Sequence, residues 1–231
     1  MNYDAVIFDL FGTLVDMYFA REYARLMAEM SSALGVPCDD FRRLWMETYS
    51  ERATGKLPTV EASIERVCKR LGVGTEGVAK AAEIRCDYSR RTLRPRAEAL
   101  ETLAGLKQLG LKLGLISGCT PEIPLLWPET PFAEFIDVPV FSCDVGLEKP
   151  DPRIYHLACQ RLEVEPQRCL YVGDGHANEL TGASNVGMRA VLIALEHEDD
   201  IYGDYHPEAD TWRGDAIDSL KKVLKFLETT E

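Results

Sequence analysis

Short apolar runs occur once at the beginning of the chain and four times in its second half. Their residues are almost continuously apolar, which is typical of parallel strands covered on both faces. Stretches with helical spacing lie between them, and this alternation predicts a doubly wound α/β sheet. The predicted strands are Tyr3–Phe8, Leu111–Ser117, Val138–Ser142, Cys169–Gly173 and Ala190–Ala194, and the predicted helices between them are Pro95–Leu109, Asp151–Leu162 and Leu180–Val186.

Residues 18–93 interrupt this alternation and carry only helical patterns, separated by segments that contain glycine or proline. Thr59 is the predicted N-cap of the third helix. The four predicted helices are Tyr18–Leu34, Asp39–Ala53, Val60–Leu71 and Gly77–Arg91. We therefore predict a helical cap domain, residues 18–93, inserted into an α/β core domain formed by residues 1–17 and 94–231.

Composition and charge limit the possible partners. The chain has 231 residues and a formal net charge of -12, and it has no basic stripe that would bind nucleic acid. No apolar run approaches the roughly 20 residues that span a bilayer, so no membrane partner is expected. The seven cysteines form no C-x-x-C pair, and no signal peptide precedes the first strand. These features predict free thiols and a cytoplasmic location.

A carboxylate ends the first predicted strand and is the most informative position of the chain. Asp9 is followed by Leu10, Phe11, Gly12 and Thr13. Ligands of open α/β sheets bind at the carboxyl ends of strands, where Asp9 is expected to lie. Aspartate in such a place can act as a nucleophile that forms a covalent intermediate.

Two further polar features follow later predicted strands. Ser117-Gly118 ends the second strand, where a hydroxyl and an unhindered backbone can bind phosphate oxygens. Lys149 stands just before a predicted helix that has Asp151 as N-cap and Pro152 at its first position. An ammonium group there would keep a nearby carboxylate ionised and offset the charge of a phosphate.

A fourth feature combines two acids in a glycine-containing turn after the strand that ends at Gly173. Asp174 and Glu179 are oxygen ligands of the kind that Mg²⁺ prefers. Each of the four features, taken alone, is common in ordinary turns. Their shared position at predicted strand ends indicates one site.

In this order the four motifs resemble those of the haloacid dehalogenase superfamily, whose Rossmann-like core carries an α-helical cap (C1 type) inserted after the first strand. The resemblance covers essentially the whole chain. It implies that Asp9 is the nucleophile, that Ser117 holds the transferring group and that Lys149 is the motif lysine. It also implies a Mg²⁺ site formed by four residues. These are Asp9, the backbone carbonyl of Phe11, Asp174 and Glu179, the last acting through a water molecule.

The chain departs from most phosphatases of that family at Phe11. Those enzymes carry there a second aspartate that protonates the leaving oxygen, and such acid–base help contributes about 10²–10⁴-fold. A large aromatic residue resembles the 2-haloacid dehalogenase branch, in which halide leaves without a proton. That branch, however, needs no metal and tends to replace the first acid of the fourth motif, whereas Asp174 is kept here. Gly118 also replaces the asparagine that binds the substrate carboxylate in that branch.

Three solutions to the missing acid remain open. The leaving group is stable as an anion, or His176 supplies the proton, or a cap residue does so. The resemblance places a cap loop over the site, and we predict substrate contacts from Arg52 and Lys56 in the segment between the second and third cap helices. Phe11, Gly118 and His176 complete the predicted substrate-binding set.

The sequence therefore predicts a Mg²⁺-dependent hydrolase, most readily a phosphatase acting on a small phosphorylated metabolite through an aspartyl-phosphate on Asp9. One alternative is a 2-haloacid dehalogenase-like hydrolase. A second is a catalytically weak binding or regulatory protein with the same fold. The oligomeric state is open between a monomer and a homodimer.

Overall fold

The computed structural model of the chain describes residues 3–194 and 207–228. Its centre is a six-stranded sheet with the order β3-β2-β1-β4-β5-β6, in which every neighbouring pair is parallel. The strands are β1 (Ala5–Phe8), β2 (Lys112–Ser117), β3 (Val138–Phe141), β4 (Cys169–Gly173), β5 (Arg189–Ile193) and β6 (Asp215–Ile217). Because β1 pairs with both β2 and β4, the carboxyl ends of these three strands lie side by side.

Helices flank the sheet and fill the segment between β1 and β2. The α-helices are α1 (Ala20–Leu34), α2 (Cys38–Glu47), α3 (Tyr49–Ala53), α4 (Val60–Leu71), α5 (Val78–Thr92), α6 (Ala99–Gln108), α7 (Glu122–Leu126), α8 (Ser142–Val145), α9 (Pro152–Leu162), α10 (Glu179–Asn185), α11 (Pro207–Thr211) and α12 (Lys222–Glu228). Single turns of 3₁₀-helix cover Trp127–Glu129, Pro131–Glu134, Pro166–Arg168 and His176–Asn178.

The sheet is buried on both faces, as its apolar strands predict. Along β1, Val6 and Phe8 contribute to one apolar cluster, and Ala5 and Ile7 contribute to another. All four side chains are fully buried, because successive residues of a strand point to opposite faces and helices cover each face. This arrangement confirms the predicted doubly wound α/β fold.

The helices of residues 18–93, which we call the helical insertion, pack around a third apolar cluster of their own. Four helices were predicted and five are found, because the second predicted helix is divided at Thr48. Its hydroxyl donates to the carbonyls of Leu44 and Trp45 and so competes for the acceptors that would continue the helix. The predicted N-cap Thr59 is confirmed, since its side chain accepts from the N–H of Ala62. The division into two domains stays a prediction.

Several predicted boundaries were wrong by one or more residues. The third strand ends at Phe141, because Ser142 already begins α8. The segment after the last predicted strand, for which no element was predicted, contains α11 and β6 where the structure describes it, and residues 195–206 lie outside the described ranges. Within those ranges, none of the helices has the length and apolar character that a bilayer crossing requires.

Candidate active site

The carboxyl edge of the sheet brings the four sequence motifs together. Asp9 follows β1, Ser117 ends β2, and Asp174 follows β4. Lys149, which comes before α9, reaches this edge and lies with its Nζ 2.5 Å from Oδ1 of Asp9. The same ammonium group contacts Glu179 at the start of α10. The expected convergence of the motifs is therefore observed.

Three carboxylates form the acidic part of this edge. Asp9, Asp174 and Glu179 are buried, and each offers an oxygen within 4.8 Å of the oxygens offered by the other two. Glu179 is fixed by the hydroxyl of Tyr171 at 2.7 Å and by the N–H of Gly175 at 3.1 Å. We call these three acids together with Lys149 the edge cluster.

Glycines allow the edge cluster to be this compact. Gly12 has a φ of +79°, and a Cβ at this position would lie 2.0 Å from Oδ2 of Asp174. A Cβ on Gly173 would lie 2.1 Å from Oε1 of Glu179. Both positions need a residue without a side chain because carboxylate oxygens occupy that space.

Burial changes the acidity of the edge cluster. Desolvation raises the pKa of Asp9 to about 7; the charge of Glu179 adds to this effect, and Lys149 opposes it. Burial likewise raises the pKa of Asp174 and of Glu179 to about 7. Burial acts to lower the pKa of Lys149, but the neighbouring carboxylates outweigh it and raise that pKa. One ammonium group therefore does not keep all three acids ionised at neutral pH.

The edge cluster fits a divalent cation. Oδ1 of Asp174 accepts from the N–H of His176 at 2.9 Å, whereas Oδ2 is buried and has no hydrogen-bond partner among the described residues. Such an oxygen is costly unless a cation or donor approaches it. Carboxylate oxygens are the ligands that Mg²⁺ takes, and a cation would offset the excess negative charge. That the carbonyl of Phe11 is a further ligand stays a prediction.

A cavity of about 150 Å³ lies between the edge cluster and the helical insertion. Asp9, Phe11, Gly118, Lys149 and His176 line it from the core side. From the insertion it is lined by Tyr18, Tyr23, Met46, Tyr49, Arg52 and Arg85. Ser117, next to Gly118, is fully buried and does not itself line the cavity, and its hydroxyl has no close hydrogen-bond partner among the described residues.

Of the two substrate contacts predicted from the cap, one lines the cavity and the other does not. Arg52 lines the cavity, but it belongs to the helix α3 and not to a loop as predicted. Lys56 is exposed and does not line the cavity. Phe11 lies beside Tyr18 of the insertion, with 4.9 Å between ring centroids. Aromatic surface therefore occupies the position that holds an acid in most phosphatases of the family that the motifs resemble.

Sequence reasoning missed a buried ion pair that joins the insertion to the core. Nη2 of Arg85 in α5 lies 2.6 Å from Oε1 of Glu122 in α7, and both side chains are at most 4% exposed. The hydroxyl of Thr120 donates to the same carboxylate oxygen. A signal existed, because Arg85 falls on the helical face that buries Val78, Ala81 and Ala82.

Comparison with known proteins identifies the relatives of this chain. A family model of the haloacid dehalogenase-like hydrolases matches residues 3–187. The chain is 30% identical over 203 residues to a glyceraldehyde 3-phosphate phosphatase of Methanothermobacter thermautotrophicus, and this alignment covers 83% of the chain and 86% of that protein. It is also 29% identical over 204 residues to an (S)-2-haloacid dehalogenase of Pseudomonas fluorescens, an alignment that covers 83% of the chain and 85% of that protein.

The fold is likewise similar to that of solved structures. A HAD phosphatase from Thermococcus onnurineus superposes with a TM-score of 0.66, covers 97% of each chain and is 24% identical. At this identity the likeness concerns the fold alone, and it agrees with the six-stranded parallel sheet described above.

Proposed function

Because this chain belongs to the haloacid dehalogenase-like hydrolases, we propose that it is a Mg²⁺-dependent phosphatase acting on a small phosphorylated metabolite. The observation that carries the proposal is the edge cluster, which joins the candidate nucleophile Asp9 to Lys149 and two further buried acids. One oxygen of this cluster, Oδ2 of Asp174, has no hydrogen-bond partner among the described residues. The relative named as a glyceraldehyde 3-phosphate phosphatase supports a small phosphorylated substrate.

Asp9 is the proposed nucleophile. Its carboxylate lies at the floor of the cavity and is held by Lys149, so an oxygen is oriented toward a bound phosphoryl group. Attack on phosphorus forms an aspartyl-phosphate and releases the alcohol or other leaving group. A water molecule then attacks the phosphorus, the bond between phosphorus and the Asp9 oxygen breaks, and inorganic phosphate and the free carboxylate result.

The charges around Asp9 favour this transfer. Lys149 would neutralise charge that develops on the phosphoryl oxygens, and the hydroxyl of Ser117, buried at the end of β2 beside the cavity-lining Gly118, is the proposed hydrogen-bond donor to one of them. Asp9, Asp174 and Glu179 would hold Mg²⁺, which would supply electrostatic stabilisation of the transferring phosphoryl group. This cation would also keep the buried carboxylates ionised at neutral pH.

Because Phe11 stands where a general acid is usual, either the substrate has a leaving group that needs no proton or another residue donates the proton. The aromatic side chain has no proton to give, so an ester whose alcohol leaves as a stable anion is the preferred substrate. His176 lines the cavity and is the proposed proton donor for poorer leaving groups.

A second function, 2-haloacid dehalogenation, is favoured by one observation. Phe11, two residues after the nucleophile, packs against Tyr18, and two relatives are named as (S)-2-haloacid dehalogenases. We rank it below phosphoryl transfer because Asp174 is kept and its Oδ2 lacks a partner, as a cation ligand would.

The test is release of p-nitrophenolate from p-nitrophenyl phosphate, with Mg²⁺ and with EDTA. This leaving group departs as a stable anion, so the assay does not depend on an acid at position 11. We expect turnover with Mg²⁺, its loss with EDTA, and its loss in Asp9→Asn. Asp137→Asn is the matched control. Asp137 is a partly exposed aspartate of the α/β part of the chain that binds Lys107 at 2.7 Å and does not line the cavity.

Two outcomes would count against the phosphatase. Turnover that survives in Asp9→Asn would remove Asp9 from the chemistry. Absence of turnover both with Mg²⁺ and with EDTA, together with chloride release from 2-chloropropionate that EDTA does not affect, would favour the dehalogenase.

A further inference from the structure

Arg52 is buried in the wall of the cavity and forms no ion pair with any acid of residues 3–194 and 207–228. Its side chain is 2% exposed, and both of its hydrogen bonds run through Nη1, to the carbonyl of Trp45 at 2.5 Å and to the hydroxyl of Thr48 at 2.7 Å. The Nε atom is buried and has no partner among the described residues. Glu148, an acid that also lines the cavity, accepts from Ser50 and forms no ion pair with Arg52.

Such burial is costly for a charged group. A charge removed from water is normally paired with an opposite charge, whereas the nearest attractive groups here are two aromatic rings, Trp45 at 3.9 Å and Tyr49 at 5.8 Å from the guanidinium carbon. Glu122 attracts the cation at longer range without forming an ion pair with it. Desolvation lowers the pKa of Arg52 to about 10, which leaves the group charged at neutral pH. An anion bound in the cavity would offset the cost.

Arg85 adds a second guanidinium to the same wall. Its Nη2 binds Glu122, but its Nε and Nη1 are buried and have no partner among the described residues. Arg52, Arg85 and Glu122 together, which we call the arginine cluster, therefore carry two positive charges and one negative charge. The edge cluster, whose Asp9 and Lys149 line the same cavity, has an excess of acidic groups.

We propose that the arginine cluster is a second anion-binding subsite, and that the phosphorylated substrate carries a carboxylate which binds there while its phosphate lies at Asp9. This rests on the proposed function. A carboxylate suits the cluster because arginine binds it through paired N–H groups and because it is smaller than a second phosphate in a cavity of about 150 Å³.

The side chains between the two clusters indicate the body of such a substrate. Phe11, Tyr18, Tyr23 and Tyr49 line the cavity together with both arginines. Aromatic surfaces favour an apolar or planar body and leave the orientation to the charged ends. A short body with an anion at each end is therefore the expected substrate class.

The test compares substrates that differ only in this second charge. The 3- and 4-carboxyphenyl phosphates are paired with the 3- and 4-carbamoylphenyl phosphates, which have nearly the same shape and no second charge. For at least one isomer we expect the carboxyl compound to have a kcat/KM about tenfold higher, as roughly one charge-assisted hydrogen bond would give. The preference should arise mainly in KM, because this end of the substrate does not react.

The variant Arg52→Gln should reduce this preference to about one, and Arg52→Lys should retain part of it. Arg43→Gln is the matched control, because Arg43 is an exposed arginine of the insertion that binds Glu47 and does not line the cavity. It should keep the full preference. Melting temperatures show whether each variant is folded.

Binding separates this inference from the proposed function. The (carboxybenzyl)phosphonates and (carbamoylbenzyl)phosphonates cannot be hydrolysed. Their effect on Tm is measured for the wild type and for Arg52→Gln. Turnover of both phosphates without a carboxyl preference, in wild type, would overturn the subsite and leave the phosphatase intact. No turnover of either phosphate, together with a larger Tm rise from the carboxyl phosphonate that Arg52→Gln abolishes, would overturn the phosphatase and support the subsite. Equal Tm shifts from the carboxyl and carbamoyl phosphonates would overturn the subsite in every case.

Discussion

The edge cluster and the arginine cluster are two buried groups of charges, each of which contributes two side chains to the lining of one cavity. The edge cluster has three acids and one lysine, whereas the arginine cluster has two arginines and one glutamate. Each contains buried polar atoms that lack partners in the part of the chain that the structure describes, an oxygen of Asp174 in the first and nitrogens of Arg52 and Arg85 in the second. The first therefore lacks positive charge and the second lacks negative charge.

The two clusters also differ in how the chain builds them. Strand ends and glycines create the edge cluster, so its geometry is set by the backbone of a rigid sheet. The arginine cluster is formed by side chains of α3, α5 and α7, which meet only when the insertion packs on the core. The comparison suggests that the sheet edge carries the reaction and that the insertion carries the choice of substrate.

Removal of Arg85 is expected to have the largest effect on stability. The Arg85→Met variant leaves Glu122 buried without its cation, and the free energy of unfolding should fall by about 3–5 kcal/mol. The pKa of Glu122 is lowered because Arg85 outweighs the opposing effect of burial, so the carboxylate depends on this partner. Urea denaturation in the presence of Mg²⁺ measures the change.

The matched control is Arg90→Met. Arg90 lies on the same helix and also joins the insertion to the core, through Glu129 at 2.9 Å, but both side chains are exposed. Little change is expected there because exposed pairs contribute little. The double variant Arg85→Met/Glu122→Leu should recover much of the loss, since no unpaired charge stays buried. Equal losses in Arg85→Met and Arg90→Met would show that the arginine cluster is not a special feature of the interface.

The edge cluster could be predicted from the sequence because its residues follow apolar strands at fixed positions. Asp9, Ser117 and Asp174 each stand at the end of a parallel strand, and parallel strands place these ends on one edge. The fold followed from the same pattern, since continuous apolar runs mark strands covered on both faces. Lys149 was found because the start of the following helix fixed its place.

The arginine cluster could not be predicted in the same way. Arg52 was assigned to the loop after the second predicted helix although that helix, Asp39–Ala53, already included it, and nothing in the pattern showed that Thr48 would end one helix and begin another. The partner of Arg85 is 37 residues away in a different part of the fold, and helical spacing does not encode such a contact. The strand β6 was missed because a run of three residues is too short to give a clear alternation.

Gly12→Ala tests whether close packing of the backbone controls the edge cluster. A Cβ there would meet Oδ2 of Asp174 at 2.0 Å, so the carboxylate must move and the affinity for Mg²⁺ should fall at least tenfold. Gly110→Ala is the matched control, because Gly110 has the same φ of +79° with nothing within 4 Å of its Cβ. Both variants should lose about 1–2 kcal/mol through backbone strain, but only Gly12→Ala should weaken the rise of Tm with added Mg²⁺. Equal Mg²⁺ responses in the two variants would contradict the role of Oδ2 as a ligand.

The smallest expected effect is the pH dependence of stability without metal. Asp9, Asp174 and Glu179 have a pKa of about 7 in the folded chain, against 3.8 to 4.5 for free side chains. The unfolded chain therefore releases these protons first, and the free energy of unfolding should decrease as the pH rises from about 4.5 to about 7. Glu122 has a lowered pKa, so its contribution is already complete above pH 4.5 and stays constant over this window.

We expect the Tm in EDTA to fall by at least about 3 °C between pH 5 and pH 7.5, since roughly 1 kcal/mol corresponds to 2–4 °C for a chain of this size. Mg²⁺ should reduce this fall, because a bound cation stabilises the ionised acids, and its stabilising effect should be larger at pH 7.5 than at pH 5. Asp174→Asn should also reduce the dependence of Tm on pH in EDTA, because one carboxyl group with a raised pKa is removed and Asp9 loses a charged neighbour. The arginine cluster offers the contrast: Arg52→Gln should leave the slope of the profile unchanged over the same window. A Tm that rises with pH in EDTA would mean that Lys149 alone keeps the edge cluster ionised.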